Sequence, residues 1–329
     1  MDTVEALVFA AGGNCSAILE TEAQQAGIVS VFGGVGNDTF DASNAAYNAT
    51  GVYFNGNGGI DSLVGGGSTD KFVFSTAAAL NLAETVAGGN GNDTISLTSD
   101  SQAVSDVDFT DVLSVEALTF ADGTGSSAIL AGTANTTGIA SVYGGSGNDT
   151  LTVDQSEPLY GDVTTPTFNG AGGVDVLILS NDTATLADSF FTNVLSVDSF
   201  QTANGANDIT LGVEASEAGI ATVTGGTGDD ILNASAMTSA VTLMGGLGAD
   251  TLSGGSGGSR QQGWTGTSTV NFSSDTLTGG SGTDIFVLGD ASGNAYGFDS
   301  NPAVNYRAAI GGFAVATDKF QLCVGGVRN

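Results

Sequence analysis

Apolar residues in this chain fall in short runs that alternate with polar ones, as in Ser141-Val142-Tyr143 and Thr150-Leu151-Thr152-Val153. A period of two carried by Thr, Val, Ile and Phe suits a pleated surface buried on one side. Helical period is hard to find. Residues 75–86 fit either a turn of helix or a small-residue rung. Bends rich in glycine, rather than long linkers, separate the runs. The pattern therefore predicts many short strands and no large helical layer.

The strands recur in longer blocks. Val4-Glu5-Ala6-Leu7-Val8-Phe9, Val115-Glu116-Ala117-Leu118-Thr119-Phe120 and Val197-Asp198-Ser199-Phe200-Gln201-Thr202 open related segments. Each continues through a polar bend and a second strand to Ala26-Gly27-Ile28, Thr137-Gly138-Ile139 or Ala218-Gly219-Ile220, and then to a glycine-aspartate turn. The super-repeats span roughly 2–42, 113–153 and 195–235, separated by divergent inserts, as duplication of a multi-rung block would leave them. The chain is expected to begin inside a repeat, because the lead-in Asp108-Phe109-Thr110-Asp111 of the second copy has little room before the first.

The turns carry the chemistry. Gly33-Gly34-Val35-Gly36-Asn37-Asp38, Gly88-Gly89-Asn90-Gly91-Asn92-Asp93 and Gly144-Gly145-Ser146-Gly147-Asn148-Asp149 share one form, which returns at residues 225–230, 245–250 and 279–284. Degraded copies end in Asp61, Asp70 and Asp175, and Ser68 replaces the fourth-position glycine ahead of Asp70. Glycine lets the backbone take φ > 0 and curl its carbonyls inward. The aspartate adds a hard anionic oxygen, and the apolar residue two places later starts a strand that points into the core.

Charge changes the picture. The chain of 329 residues has 35 acidic residues against 5 basic ones, a net charge of -30. Length alone suggests about two domains, but a stacked repeat has no single core to outgrow. Nucleic acid and anionic membranes need basic surface and are poor partners for such a chain, so no nucleic acid is expected. Self-repulsion opposes compaction unless cations neutralise it. Disorder, the usual fate of strongly acidic chains, is countered by 41% hydrophobic content in periodic placement. Cys15 and Cys323 lie far apart, so a disulfide within one chain is not expected. Met1 to Glu20 lacks the basic start of a secretory signal. No apolar run reaches the length of about 18 residues that a membrane span needs.

Calcium takes six to eight oxygens in flexible geometry. One turn offers carbonyls and one carboxylate, which is too few, whereas two stacked turns suffice. Folding and binding are then a single event, and the calcium-free chain should be largely disordered. The expected affinity is of the extracellular kind, Kd on the order of 10⁻⁴ to 10⁻³ M.

These turns resemble those of RTX (repeats-in-toxin, hemolysin-type) calcium-binding proteins. The resemblance implies an all-β fold, a right-handed parallel β-roll or β-solenoid. It implies several bound Ca2+ ions, held by the carboxylates of Asp38, Asp93, Asp149, Asp230, Asp250 and Asp284, with Asp61, Asp70 and Asp175 as further candidates. Carbonyls of the turns that begin at Gly33, Gly88, Gly144, Gly225, Gly245 and Gly279 complete the implied sites. Two nonapeptides, about 18 residues, make one rung of such a roll. Asp61 and Asp70 should then lie on opposite edges, as should Asp275 and Asp284. Asp38 and Asp61, Asp70 and Asp93, and Asp230 and Asp250 should share an edge one layer apart; Asp149 and Asp175 fit more loosely.

The closing segment resembles the cap of bacterial RTX proteins through Asp284-Ile285-Phe286-Val287-Leu288-Gly289-Asp290, Ile310-Gly311-Gly312-Phe313 and Asp318-Lys319-Phe320-Gln321-Leu322. That implies type I secretion. The super-repeat with its Val-Glu-Ala-Leu opening is similar to the β-solenoids of bacterial surface-layer proteins. The expected layout is a solenoid over 1–253, an insertion loop over 254–274, and last turns with a cap over 275–329.

No histidine occurs, which removes histidine-based zinc sites and triads. Tyr296-Gly297-Phe298-Asp299 resembles a motif of calcium-dependent mannuronan epimerases, but the histidine that should follow is absent, and the stretch reads as a loop. Trp264 with Arg260 is read as packing rather than as a sugar platform. The expectation is a non-enzymatic, extracellular calcium-binding structural protein of a bacterial surface (surface layer, filament, matrix or adhesin). It would self-associate, with possible polysaccharide or cell-surface contact and no membrane insertion. A secretion and folding module of a larger toxin or hydrolase is the alternative, and an ice-binding roll is a third, disfavoured by varied turn residues.

Overall fold

The fold is described from a computed structural model. It covers residues 4–10, 12–47, 49–81, 85–154, 167–264, 275–288, 309–314, 316–324 and 327–328. The motif at Tyr296–Asp299 lies outside them, as does the side chain of Trp264. The chain divides into two compact units, Met1–Gly173 and Val174–Asn329.

In the first unit one parallel sheet runs through Ala6–Val8, Ser30–Phe32, Tyr53–Asn55, Lys71–Phe74, Thr94–Leu97, Ala117–Thr119, Ser141–Gly145 and Thr167–Ala171. A second runs through Ser16–Ile18, Thr39–Asp41, Ser62–Val64, Thr85–Ala87 and Val112–Leu113. A third joins Ala103–Val104, Ser127–Leu130 and Thr150–Val153. Successive strands along the chain alternate between sheets, so each pairing joins one rung to the next. This is the all-β parallel β-roll architecture.

Register places like residues above one another. Val31, Phe54, Phe72, Ile95, Leu118, Val142 and Phe168 form one buried column, in which the rings of Phe54 and Phe72 stack at 5.2 Å. Phe40, Leu63 and Val86 form another. Each such side chain is worth about 1.5–3 kcal/mol of burial. The apolar residue two places after each turn aspartate is buried as expected: Phe40, Leu63, Phe72, Ile95, Leu151, Leu177, Leu232, Leu252 and Phe286.

The second unit repeats the plan. One sheet passes through Val176–Leu179, Ser199–Gln201, Thr222–Gly226, Val241–Gly246, Ser259–Trp264, Ile285–Leu288 and Lys319–Val324. Val327–Arg328 folds back antiparallel on the last of these, which covers part of an edge that would otherwise be open. The other sheet stacks Thr185–Leu186, Asp208–Thr210, Ile231–Asn233, Thr251–Ser253, Thr276–Thr278 and Ala309–Gly311.

Two expectations change. Residues 254–274 were expected as an insertion loop, yet Ser259–Trp264 is a rung strand paired on both sides. Its polar sequence hides this, because Gln261 occupies the core position between Leu243 and Phe286. The Gln261 amide nitrogen donates to Ser259 Oγ and to the carbonyl of Thr278, at 2.8 and 2.7 Å, which offsets part of the cost of burial, while Oε1 is left without a partner. Residues 265–274 lie outside the described residues.

The second difference is helical. Between its second strand and the Gly-Ile step each super-repeat holds a short helix: α1 (Thr21–Ala26), α3 (Gly132–Thr137) and α4 (Val213–Ala218). Residues 77–80 form α2 (Ala77–Leu80). The shared Gly-Ile ends the super-repeat helices. Gly27 and Gly219 take φ of 86° and 98°, and the amides of Ile28 and Ile220 reach back to Ala23 and Ala215. Six residues are too few to show a helical period, so the pattern carries no sign of these helices.

Candidate metal centres

The turn aspartates are buried, and backbone amides of a neighbouring rung hold their carboxylates. Asp38, Asp61, Asp70, Asp93, Asp149, Asp175, Asp230, Asp250 and Asp284 are at most 3% exposed. Their carboxylates accept amide protons from the preceding rung: Cys15 to Asp38 at 2.7 Å, Asp38 to Asp61 at 2.8 Å, and Asp70 to Asp93 at 2.7 Å. The same bond joins Ser126 to Asp149, Asp230 to Asp250, and Ser259 to Asp284. The three expected same-edge pairs are therefore direct neighbours. Asp61 and Asp70 lead strands of different sheets, as do Asp275 and Asp284. Asp70, behind the irregular Ser68 turn, keeps the standard place, accepting the amides of Val52 and Gly66 at 2.6 and 2.7 Å.

The columns contain members outside the expected ligand set. Glu116 accepts the amide of Asp93 at 2.6 Å and Asp198 that of Asp175 at 2.9 Å. Asp275 and Asp318 do the same for Asp250 and Asp284. A signal existed: Glu116 and Asp198 open the super-repeats, and each follows a turn aspartate at the 23-residue step that separates Asp38 from Asp61.

The second carboxylate oxygen distinguishes the sites. Asp38 Oδ2 accepts the amide of Gly34 at 2.9 Å, so both its oxygens are satisfied by backbone. The Oδ2 atoms of Asp93, Asp230, Asp250 and Asp284 are buried with no hydrogen-bond partner. Each lies over the α-carbon of the first glycine of its own turn, namely Gly88, Gly225, Gly245 and Gly279, where a Cβ would otherwise stand. The carbonyl of Gly245, one rung on, faces the same space over Gly225, and that of Ser114 the space over Gly88. The turn led by Gly33 shows the arrangement with Gly56, and that led by Gly144 with Gly170. Absence of a side chain at the first glycine is thus what opens an oxygen-lined gap.

Burial raises the proton affinity of these groups. Asp250 is pushed up to about 8 by desolvation, against the stabilising amide of Asp230 and with the charges of Asp275, Asp230 and Asp229 reinforcing the rise. Asp93 is pushed up to about 7, again chiefly by desolvation. Asp61, Asp70, Asp149 and Asp230 shift upward for the same leading reason. A desolvated carboxylate with an unpartnered oxygen is stabilised by a proton or a cation. A hard cation fits the donor set, which is all oxygen. Among the described residues no cluster of three or more acidic, cysteine or histidine side chains exists that could hold a metal. Backbone carbonyls must therefore supply most of any coordination shell, as flexible Ca2+ geometry allows.

Not every acidic residue serves the turns. Asp106 accepts the amides of Ala131, Thr133 and Ala134 at 3.1, 3.1 and 2.8 Å, capping α3 from the rung before. Asp188 caps α4 through Gly212, Glu214 and Ala215. Although desolvation works against it, the amides and hydroxyl of that cap hold Asp106 below the usual carboxylate range. Cys15 is a free thiol. Arg260 reaches Gln321 across a rung at 3.5 Å. No described helix is long and apolar enough to cross a membrane.

The family model for the RTX calcium-binding nonapeptide repeat matches residues 25–45, 53–74, 81–98, 136–155, 217–236, 238–258 and 270–292. No curated protein and no solved structure matches the chain significantly. The matched segments contain the turns of Asp38, Asp70, Asp93, Asp149, Asp230, Asp250 and Asp284. With its stacked glycine-aspartate turns and parallel sheets, the chain is an RTX-type repeat protein, a β-roll built on calcium-binding nonapeptide repeats.

Proposed function

We propose that this chain is an extracellular, non-enzymatic structural protein of a bacterial surface, folded and made rigid by calcium. The unpartnered Oδ2 atoms of Asp93, Asp230, Asp250 and Asp284, buried over glycine in stacked turns, carry the reading. Calcium in those gaps would be held by the carboxylate of one turn and by carbonyls of that turn and its neighbour. Asp38, Asp61, Asp70, Asp149 and Asp175 line the same columns and complete the candidate set. Gly33, Gly88, Gly144, Gly225, Gly245 and Gly279 supply the open positions beside them.

A net charge of -30 supports the same conclusion. It opposes both folding and close approach of neighbouring chains unless cations are bound. Sites of this construction fill at the millimolar calcium found outside cells. RTX repeats are typical of proteins exported by type I secretion, which suits that location. Once neutralised, parallel-sheet faces can associate side by side in a surface layer, filament or matrix, and polysaccharide contact is compatible with them.

Far-ultraviolet circular dichroism with calcium and with chelator tests the folding claim, and sedimentation tests assembly. Strand signal that appears on calcium addition, with concentration-dependent association, is the expected result. Equal structure in chelator at neutral pH would refute the calcium claim. Monomers at all concentrations would remove the assembly claim and favour a folding module of a larger protein.

A further inference from the structure

The turn at residues 202–207 departs from the motif: it reads Thr202-Ala203-Asn204-Gly205-Ala206-Asn207. Asn207 stands in the same column as Asp230 and Asp250, at the place where those turns carry aspartate. It is 2% exposed. Its Oδ1 accepts the amide of Ala184 at 2.9 Å. Only an oxygen can take that role against an N–H, so the orientation of the carboxamide is fixed.

The Nδ2 atom then points into a cage of oxygens. It lies 2.8 Å from the Gly205 carbonyl, 3.1 Å from that of Ala203, 3.2 Å from Thr202 Oγ1 and 2.9 Å from Asp230 Oδ1. A carboxamide nitrogen has two protons, and four oxygens surround it. Two carbonyls and a hydroxyl from one turn, plus a carboxylate from the next rung, are the donors a hard divalent ion takes. Thr202 Oγ1 also donates to the Gly225 carbonyl, tying the first positions of the two turns together.

We propose that the Asn207 carboxamide takes the place of a calcium ion between these two rungs. This layer of the second unit closes without metal, and Asn207→Asp opens it to a divalent cation. The inference rests on the proposal that the neighbouring turns bind calcium. With aspartate at 207, the two donated protons are gone and a second carboxylate faces Asp230. Like charges at that range cannot both stay ionised in a buried site unless a cation lies between them. The native layer spanning Thr185–Leu186, Asp208–Thr210 and Ile231–Asn233 needs no such ion. It can serve as an ordered start on which rungs containing aspartate assemble as calcium arrives.

The test is calcium stoichiometry of the full chain by equilibrium dialysis at neutral pH, native against Asn207→Asp. The variant is expected to bind one more calcium per chain. Equal, non-zero stoichiometry would overturn this inference while leaving the calcium reading of the other turns intact. Neither chain binding calcium would overturn both. Hydrogen exchange of the native chain gives an answer that does not depend on the variant folding. The Ala184 and Asn207 amides should stay protected in chelator, with little further protection on calcium addition, while the Asp70 amide gains it. Protection at Ala184 and Asn207 that appears only with calcium would sink the proposal.

Discussion

The backbone amide of Asp230 donates to Oδ1 of Asp250 at 2.9 Å, so one carboxylate both closes the preceding turn and offers its other oxygen to a cation. The two roles are separable. Asn at 250 keeps an acceptor for the Asp230 amide but removes the charge, whereas Ala removes both. Asp250→Ala should cost about 1–3 kcal/mol more than Asp250→Asn, the penalty of an orphaned buried amide. Denaturant melts of both variants in saturating calcium measure the difference, and each should lose calcium relative to the native chain.

Without metal, acid should substitute for calcium. Asp93 and Asp250 rise from 3.8 to about 7 and about 8 in the folded state. The folded state then holds more protons, so their contribution is fully present below the unfolded value and is lost as pH rises through 7 to 8. Asp106 and Asp318 are lowered and act oppositely, losing their contribution as pH falls below the ordinary carboxylate range. In chelator the strand signal should therefore be greatest near pH 5 and fall toward pH 8. Calcium affinity should rise over the same interval, because binding displaces those protons.

A side chain at the first glycine should close the gap. At Gly279 a Cβ would stand 2.6 Å from Asp284 Oδ2 and 3.1 Å from the Phe286 ring. Gly279→Ala should lower both the melting temperature and the calcium content. Calorimetry with and without calcium reads this; a calcium-saturated melting curve equal to that of the native chain would contradict it.

The caps should be structural only. Asp106→Ala removes the acceptor for three amides at the start of α3 and should cost about 0.5–2 kcal/mol. Its calcium stoichiometry should match that of the native chain. Asp188→Ala at α4 should behave alike.

Much of this was legible in residues whose role is local. Gly36, Asp38 and Phe40 announce a turn, an anionic oxygen and a core position within a few residues, and the spacing of Asp38 and Asp61 announces their stacking. Asp106 gave no such signal, because the amides it caps lie 25 to 28 residues away. Gln261 misled for the converse reason: its polarity suggests a loop, yet hydrogen bonds to Ser259 and Thr278 let it stand in a core column.

Local chemistry along the chain was enough for the strands with apolar alternation, the glycine-aspartate turns and which apolar residues face inward, since backbone sterics and a period of two act over a handful of residues. Only the tertiary structure decided which carboxylate oxygen is left without a partner and which rung is closed by the Asn207 amide instead. Those outcomes depend on atoms brought together by stacking from about twenty residues or more apart, where register rather than local preference sets who meets whom.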